Sequence, residues 1–139
     1  MKKSLILATL LAAGIQAFAQ DRHPFKGYFY NKEYAVYLRI DFYDSSITVP
    51  GQEVFGAMPG YFGDSKDGRK WLFTDAKIKG KVAEIDVVND YGSEDLKASL
   101  TCVNDSTYLL RQLEGSDLKI ARNRKWVKMP KTLAFKKRK

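Results

Sequence analysis

The chain has 139 residues, of which 45% are hydrophobic and 29% are charged, so it is long enough for one folded domain with a substantial core. It contains one cysteine, Cys102, and one histidine, His23, which excludes an internal disulfide and argues against a metal site built from cysteine and histidine ligands. Lysine and arginine outnumber acidic residues by 24 to 16, and the surplus lies towards the carboxyl-terminal end.

The amino-terminal segment has the features of a secretory leader. Lys2 and Lys3 precede an apolar stretch, residues 4–13, that is too short to span a bilayer. Ala17 and Ala19 then form the small-x-small pattern of a cleavage site. We therefore assign residues 1–19 to a cleaved signal peptide and expect a periplasmic or extracellular protein without a later transmembrane segment.

From residue 20 onward, apolar and polar side chains alternate with the period of half-buried strands. In residues 34–43, for example, Leu38 and Ile40 share one face, whereas Arg39 and Asp41 share the other. Turn signals rich in glycine, asparagine and aspartate separate the alternating runs. The predicted strands are residues 25–30, 34–43, 46–49, 53–58, 70–74, 76–79, 82–89, 96–103, 107–113 and 117–122.

Short turns between neighbouring strands indicate an all-β fold in which the strands pair antiparallel in chain order. Closure of such a sheet into a barrel leaves no unpaired edge strand. We therefore predict an up-and-down antiparallel β-barrel of 8–10 strands over residues 20–122, followed by a basic carboxyl-terminal segment over residues 123–139. A β-sandwich is the alternative.

The first predicted strand opens with Gly27-Tyr28-Phe29. This stretch resembles the glycine-x-tryptophan opening of the lipocalins, with Phe29 at the tryptophan position. In lipocalins an arginine late in the barrel packs over that tryptophan, and here Arg122 or Arg124 follows the last predicted strand. The resemblance implies a small lipocalin-like (calycin-type) barrel of the bacterial envelope.

Candidates for catalysis are few. His23 lies close to the expected mature amino terminus, and Cys102, which we expect to be buried as a small hydrophobe, has no histidine near it in sequence. The acidic segment Asn89–Asp95 has oxygen ligands that suit calcium, but the same residues suit a hairpin turn, so both interpretations stay open. We expect a protein that is not an enzyme, with no cofactor and no metal.

Ligand binding is the first functional hypothesis, because the mouths of small barrels commonly hold ligands. A segment of glycines and aromatics, residues 51–63, is predicted to cover the barrel mouth as a lid or to plug the barrel end as core. The expected ligand is small and apolar or amphipathic. The predicted ligand-binding residues are Val36, Leu38, Ile40, Phe42, Phe55, Tyr61, Trp71, Ile85, Val87 and Leu110.

The second hypothesis is a filled barrel that contacts a protein or an anionic envelope component through its surface and basic tail. Residues 119–139 contain ten basic residues and no acidic one. Secretion argues against nucleic acid as the partner, which leaves anionic lipid, lipopolysaccharide or acidic glycans. A solvated end without a partner is the alternative. The predicted anionic-surface residues are Arg124, Lys125, Trp126, Lys128, Lys136, Lys137, Arg138 and Lys139.

Overall fold

The structure is a computed structural model that describes residues 23–138. The predicted signal peptide and Lys139 lie outside the described residues. Strands account for 64% of the described residues and helix for 3%, which confirms the all-β prediction. The strands are β1 (Lys26–Asn31), β2 (Val36–Asp41), β3 (Ile47–Thr48), β4 (Ala57–Met58), β5 (Gly60–Asp64), β6 (Asp67–Lys79), β7 (Val82–Asn89), β8 (Asp95–Cys102), β9 (Thr107–Gly115), β10 (Lys119–Arg122), β11 (Lys125–Lys128) and β12 (Thr132–Arg138).

Eight of these strands form a closed antiparallel barrel in the order β1-β12-β9-β8-β7-β6-β5-β2. Each barrel strand pairs with the barrel strand that follows it in the chain, and β12 returns to pair with β1. The up-and-down barrel is therefore confirmed, and the sandwich alternative is wrong. Two short hairpins leave the barrel wall: β3–β4 between β2 and β5, and β10–β11 between β9 and β12.

The barrel includes residues beyond the predicted boundary at residue 122. Strand β12 pairs with β9 on one side and with β1 on the other, so part of the basic segment closes the barrel. Leu133 and Phe135 face the interior, because they alternate with the exposed Ala134 and Lys136. The alternation of Leu133 and Phe135 around Ala134 is visible in the sequence and already indicates a short terminal strand.

Two strand predictions need correction. The segment predicted as a strand at residues 53–58 contains a single 3-10 turn, Glu53–Phe55, and only the two residues of β4. The predicted strands 70–74 and 76–79 form one continuous strand, β6, with a register shift between Phe73 and Asp75. A β-bulge of this kind interrupts the alternation of inward- and outward-facing side chains. The alternation therefore differs before and after the bulge, and in the sequence the single strand looks like two.

The barrel interior is packed with apolar side chains from every barrel strand. Phe29 and Tyr108 meet edge to face at 4.4 Å between ring centroids, and Phe62 meets Phe135 at 6.5 Å. Cys102 packs only partly against this core, so the prediction that it is buried is half correct.

One end of the barrel is closed by the segment before β1. Phe25 is fully buried, with its ring centroid 5.9 Å from that of Phe42, and the hydroxyl of Tyr108 donates a hydrogen bond to the carbonyl of Pro24. We call this the closed end, and the opposite end, where β5 and β7 finish, the mouth end.

A cation was expected to pack over Phe29, the aromatic residue of the first strand, and the structure supplies it from β12. The ammonium of Lys137 lies 5.7 Å from the centroid of the Phe29 ring. Arg122 instead binds Asp64 at the mouth end, and Arg124 lies in the turn between β10 and β11. The cation over the Phe29 ring is therefore Lys137, and not Arg122 or Arg124 as the resemblance implied.

A second, smaller apolar cluster lies outside the barrel wall. Val49 is fully buried against Tyr61 and Leu72, beneath the β3–β4 hairpin. The glycine- and aromatic-rich segment is therefore divided: residues 51–58 lie outside the wall near β5 and β6 and form no lid over the mouth, whereas residues 60–63 belong to β5, where Phe62 is part of the barrel core. No helix in the described part of the chain has the length and apolar character needed to cross a membrane.

Candidate functional site

A cavity of about 170 Å³ opens at the mouth end of the barrel. It lies where β5 ends, β6 begins and β7 turns into β8, and the β10–β11 hairpin covers it. We call this cavity the mouth pocket. Its deeper wall is apolar, formed by Phe62, Trp71, Ile120 and Ala121, and three of these side chains belong to or adjoin the barrel core.

Hydrogen bonds fix the hairpin over the pocket. The indole nitrogen of Trp71 donates to the carbonyl of Lys119 at 3.1 Å, which ties β6 to β10. The guanidinium of Arg122 donates to both carboxylate oxygens of Asp64, and also to the carbonyl of Tyr34 at 2.8 Å. Because Asp64 is almost completely buried, this ion pair fixes the end of β10 firmly against β5.

Trp126 forms the outer rim of the pocket. Its side chain is 56% exposed, and two cations lie near its ring, with Arg69 Cζ at 5.2 Å and Lys119 Nζ at 5.5 Å from the centroid. Such cation–π contacts hold an otherwise exposed indole in place. Tyr91, which is 76% exposed, adds a second aromatic ring to the rim.

Several charged side chains around the mouth pocket form ion pairs. Asp67 binds Arg69 at 2.8 Å, and Glu94 binds Lys119 at 2.8 Å. Asp90 accepts the backbone N–H of Lys70. The ammonium of Lys70 donates to the carbonyl of Gly68, so the rim of the pocket is polar and its charged groups are already engaged in ion pairs or in hydrogen bonds to the backbone.

The acidic segment Asn89–Asp95 forms a turn at this rim. The amide oxygen of Asn89 accepts the backbone N–H groups of Ser93 and Glu94, at 2.9 and 3.2 Å. Gly92 has a φ of 72°, the left-handed conformation that glycine adopts without strain. These bonds match the hairpin-turn interpretation. Within residues 23–138, no group of three or more histidine, cysteine or carboxylate side chains is placed to hold a metal ion.

The structure separates the predicted ligand-binding residues into three places. Only Trp71 lines the mouth pocket. Tyr61 lies in the outer cluster, and Phe55 is 57% exposed in the 3-10 turn, so both point away from the barrel interior. The other predicted residues are buried together in the core: Val36, Leu38, Ile40, Phe42, Ile85, Val87 and Leu110.

Sequence reasoning missed most of the residues that line the mouth pocket. Phe62 stood in the segment predicted as a lid or plug but was not named as a ligand-binding residue, Ile120 looked like an ordinary core position, and Tyr91 looked like a turn residue. The sequence offered one signal for this pocket, the two tryptophans Trp71 and Trp126, which stand in distant segments. Large aromatic side chains with a polar atom favour sites that are partly apolar and partly exposed to solvent.

The basic residues of the carboxyl-terminal segment are also divided. Arg124, Lys125, Trp126 and Lys128 belong to the hairpin at the mouth end. Lys136 and Arg138 lie on the outer face near the closed end of the barrel, where β12 finishes. A strand of seven residues is roughly 20 Å long, so these two residues are far from the hairpin at the mouth end. Lys137 faces the interior, over Phe29. These residues do not form one continuous basic surface.

Comparison of the chain with protein-family models, with curated proteins and with solved structures finds no match.

Proposed function

We propose that this protein is a secreted, non-catalytic binding module that holds a small amphipathic ligand in its mouth pocket. The observation that carries the proposal is a cavity of about 170 Å³ with an apolar deeper wall and an aromatic rim. The lining, all of which lies in the described part of the chain, includes no histidine and no cysteine, which favours binding over chemistry. The expected compartment is the periplasm or the extracellular space.

The size of the pocket restricts the ligand. Typical sites for drug-sized molecules measure roughly 300–1,000 Å³, whereas an apolar cavity of about 150 Å³ admits benzene. We therefore propose a ligand, or a ligand group, of one ring with few polar substituents. A long acyl chain requires an open barrel, and the packed core occupies that space.

The test is isothermal titration calorimetry with phenol as a ring-sized probe and octanoate as a long-chain probe. We expect phenol to bind and octanoate not to bind. Ala121→Phe fills the pocket and is expected to abolish phenol binding, whereas Ala134→Phe adds the same ring on the exposed face of β12 and leaves it unchanged. Tighter binding of octanoate, or phenol binding that survives Ala121→Phe, contradicts the proposal.

Native mass spectrometry of the protein purified from its own host identifies the natural ligand. A co-purifying molecule that contains a single ring supports the pocket as its site, provided that Ala121→Phe no longer retains it. A co-purifying fatty acid or a large lipid supports a ligand inside an opened barrel instead.

Contact of the mouth end with anionic lipid or lipopolysaccharide is a second candidate. Arg124 in the hairpin turn and Lys125 at the start of β11 are exposed, and within residues 23–138 neither is ion-paired. The double variant Arg124→Gln/Lys125→Gln is expected to weaken binding to lipopolysaccharide, whereas Lys136→Gln, near the other end of the barrel, leaves it unchanged. Equal losses would indicate attraction by net charge alone.

A further inference from the structure

A second concave surface lies on the outer wall of the barrel, near the closed end. It is an open groove of about 530 Å³ along β1, β2 and the end of β12, bordered by the turn after β2. Its lining includes Lys26, Tyr28, Arg39, Asp41 and Arg138. We call it the wall groove. Its residues do not overlap with those of the mouth pocket.

Strand register places two arginines on either side of one tyrosine. Tyr28 is the pairing partner of Arg138 on β12 and of Arg39 on β2. The three residues are therefore cross-strand neighbours on three adjacent strands. All three point outwards, since their neighbour Phe29 faces the core. With neighbouring strands about 4.8 Å apart, the two arginine backbones lie roughly 10 Å from each other across Tyr28.

Both arginines are exposed and available to a ligand. In the part of the chain that the structure describes, no carboxylate is ion-paired with Arg39 or Arg138. The guanidinium of Arg138 stacks on Tyr30, with Cζ 4.7 Å from the ring centroid, which orients the group without neutralising its charge.

Asp41, the acidic residue of the wall groove, already has hydrogen-bond partners within the protein. Asp41 is buried, and its carboxylate accepts hydrogen bonds from the Ser46 hydroxyl and from the backbone N–H groups of Tyr43 and Asp44. Lys26 lies 4.0 Å from the same carboxylate but keeps half of its side chain exposed. The groove therefore presents a surplus of positive charge.

One aromatic ring, that of Tyr28, lines the wall groove beside the arginines, and Tyr37 supports it from outside the lining. Tyr28 and Tyr37 stack with ring centroids 5.4 Å apart, and both are half-buried. Tyrosine combines a ring that packs against the apolar face of a sugar with a hydroxyl that hydrogen-bonds to it. A half-buried ring such as that of Tyr28, in a concave groove, is poorly placed to enter a bilayer, whose surface is flat.

We propose that the wall groove binds an acidic oligosaccharide, with sugar carboxylates held by Arg39 and Arg138 and a sugar ring against Tyr28. Guanidinium groups match carboxylates with two parallel hydrogen bonds, so the two arginines select for acidic sugars over neutral ones. The groove is open, which allows a chain of several sugars to continue beyond it. This binding function goes beyond the mouth pocket and does not depend on it.

The experiment is calorimetric titration of the purified protein with trigalacturonate at low salt, with maltotriose as the uncharged counterpart. We expect binding of trigalacturonate alone, weakened as salt is added. Arg39→Gln and Arg138→Gln are each expected to weaken binding about tenfold. Arg111→Gln, which removes an exposed arginine from the outer face of β9, is the matched control and is expected to change it little.

Backbone amide NMR provides a second readout, because it locates the residues that the ligand contacts. Trigalacturonate is expected to shift the amide signals around Tyr28, Arg39 and Arg138 and not those around Arg111. Inorganic phosphate and phosphatidylglycerol vesicles are the competing probes. The proposal is overturned if trigalacturonate does not bind, if Arg111→Gln weakens binding as much as the groove variants, or if phosphate or vesicles bind the groove more tightly.

Discussion

The guanidinium of Arg122, on the β10–β11 hairpin, donates hydrogen bonds to both carboxylate oxygens of Asp64 at the end of β5. The carboxylate is 3% exposed and the guanidinium side chain 23%, so this is the most buried ion pair that the mouth end contains among the described residues. The Asp64 carboxylate raises the pKa of Arg122 above its ordinary value. The hairpin, the roof of the mouth pocket, depends on this contact.

We predict that Arg122→Met destabilises the protein by about 3 kcal/mol, because it leaves the carboxylate of Asp64 buried without its partner. Urea unfolding measures the loss. Lys128→Met is the control, since it removes a cation from the exposed pair with Asp117 and is expected to leave stability close to that of the wild type. Equal effects of the two substitutions would show that the Arg122 pair has no special structural role.

Gly63 on β5 is predicted to be intolerant of a side chain. A Cβ atom there would lie 2.6 Å from the hydroxyl oxygen of Tyr37, whose ring is held by Tyr28 and Tyr61. Gly63→Ala therefore has to displace this ring, at an expected loss of about 1–3 kcal/mol in the free energy of unfolding.

Gly68→Ala is the matched control for that substitution, because a Cβ at Gly68 meets no atom within 4 Å. Thermal unfolding should show a lower midpoint for Gly63→Ala and a midpoint near the wild-type value for Gly68→Ala. Combining Gly63→Ala with Tyr37→Leu should recover part of the loss. A full additive loss in the double variant would mean that the ring is not the obstacle.

Asp41 is predicted to make stability depend on pH. Burial opposes ionisation of its carboxyl, but the hydrogen bonds from Ser46, Asp44 and Tyr43 outweigh burial and lower its pKa below 3.8. The unfolded chain therefore binds a proton more readily than the folded protein does. The stabilisation is complete well above 3.8 and is lost as the pH falls through that value towards the lower pKa of the folded state.

The measurement is urea unfolding at neutral pH and at about pH 3 for the wild type and for Asp41→Asn. The variant is expected to be less stable than the wild type at neutral pH, with a smaller loss of stability on acidification. Asp44→Asn, in the same turn, removes an exposed carboxylate and should retain the wild-type dependence. An unchanged acid dependence in Asp41→Asn would contradict the assignment.

Cys102 is predicted to react with a thiol reagent more slowly in the native protein than in urea. Its side chain is partly buried against the core, and its Sγ lies 3.4 Å from the carbonyl oxygen of Asn104. The measurement is the rate of labelling before and after unfolding. Equal rates would show that the thiol is fully accessible in the folded state.

Much of the barrel could be predicted from local patterns. The alternation of Val36, Leu38 and Ile40 with Arg39 and Asp41 requires a strand with one face in the core, because successive side chains point to opposite faces. The bulge near Thr74 and the covering hairpin of residues 47–58 were less predictable. Both depend on how a strand bends against its neighbours, and the sequence carries only weak local signals for such bends.

The sequence by itself determined the all-β class, the antiparallel order and most of the inward-facing residues, since these follow from side-chain alternation and short turns between neighbours. Only the tertiary structure decided that β12 closes the barrel beside β1, that the interior is packed, and that space remains at the mouth. The tertiary structure also made Arg39, Tyr28 and Arg138 neighbours on three adjacent strands. Cross-strand register and barrel closure create these neighbours, and both depend on contacts between residues far apart in the chain.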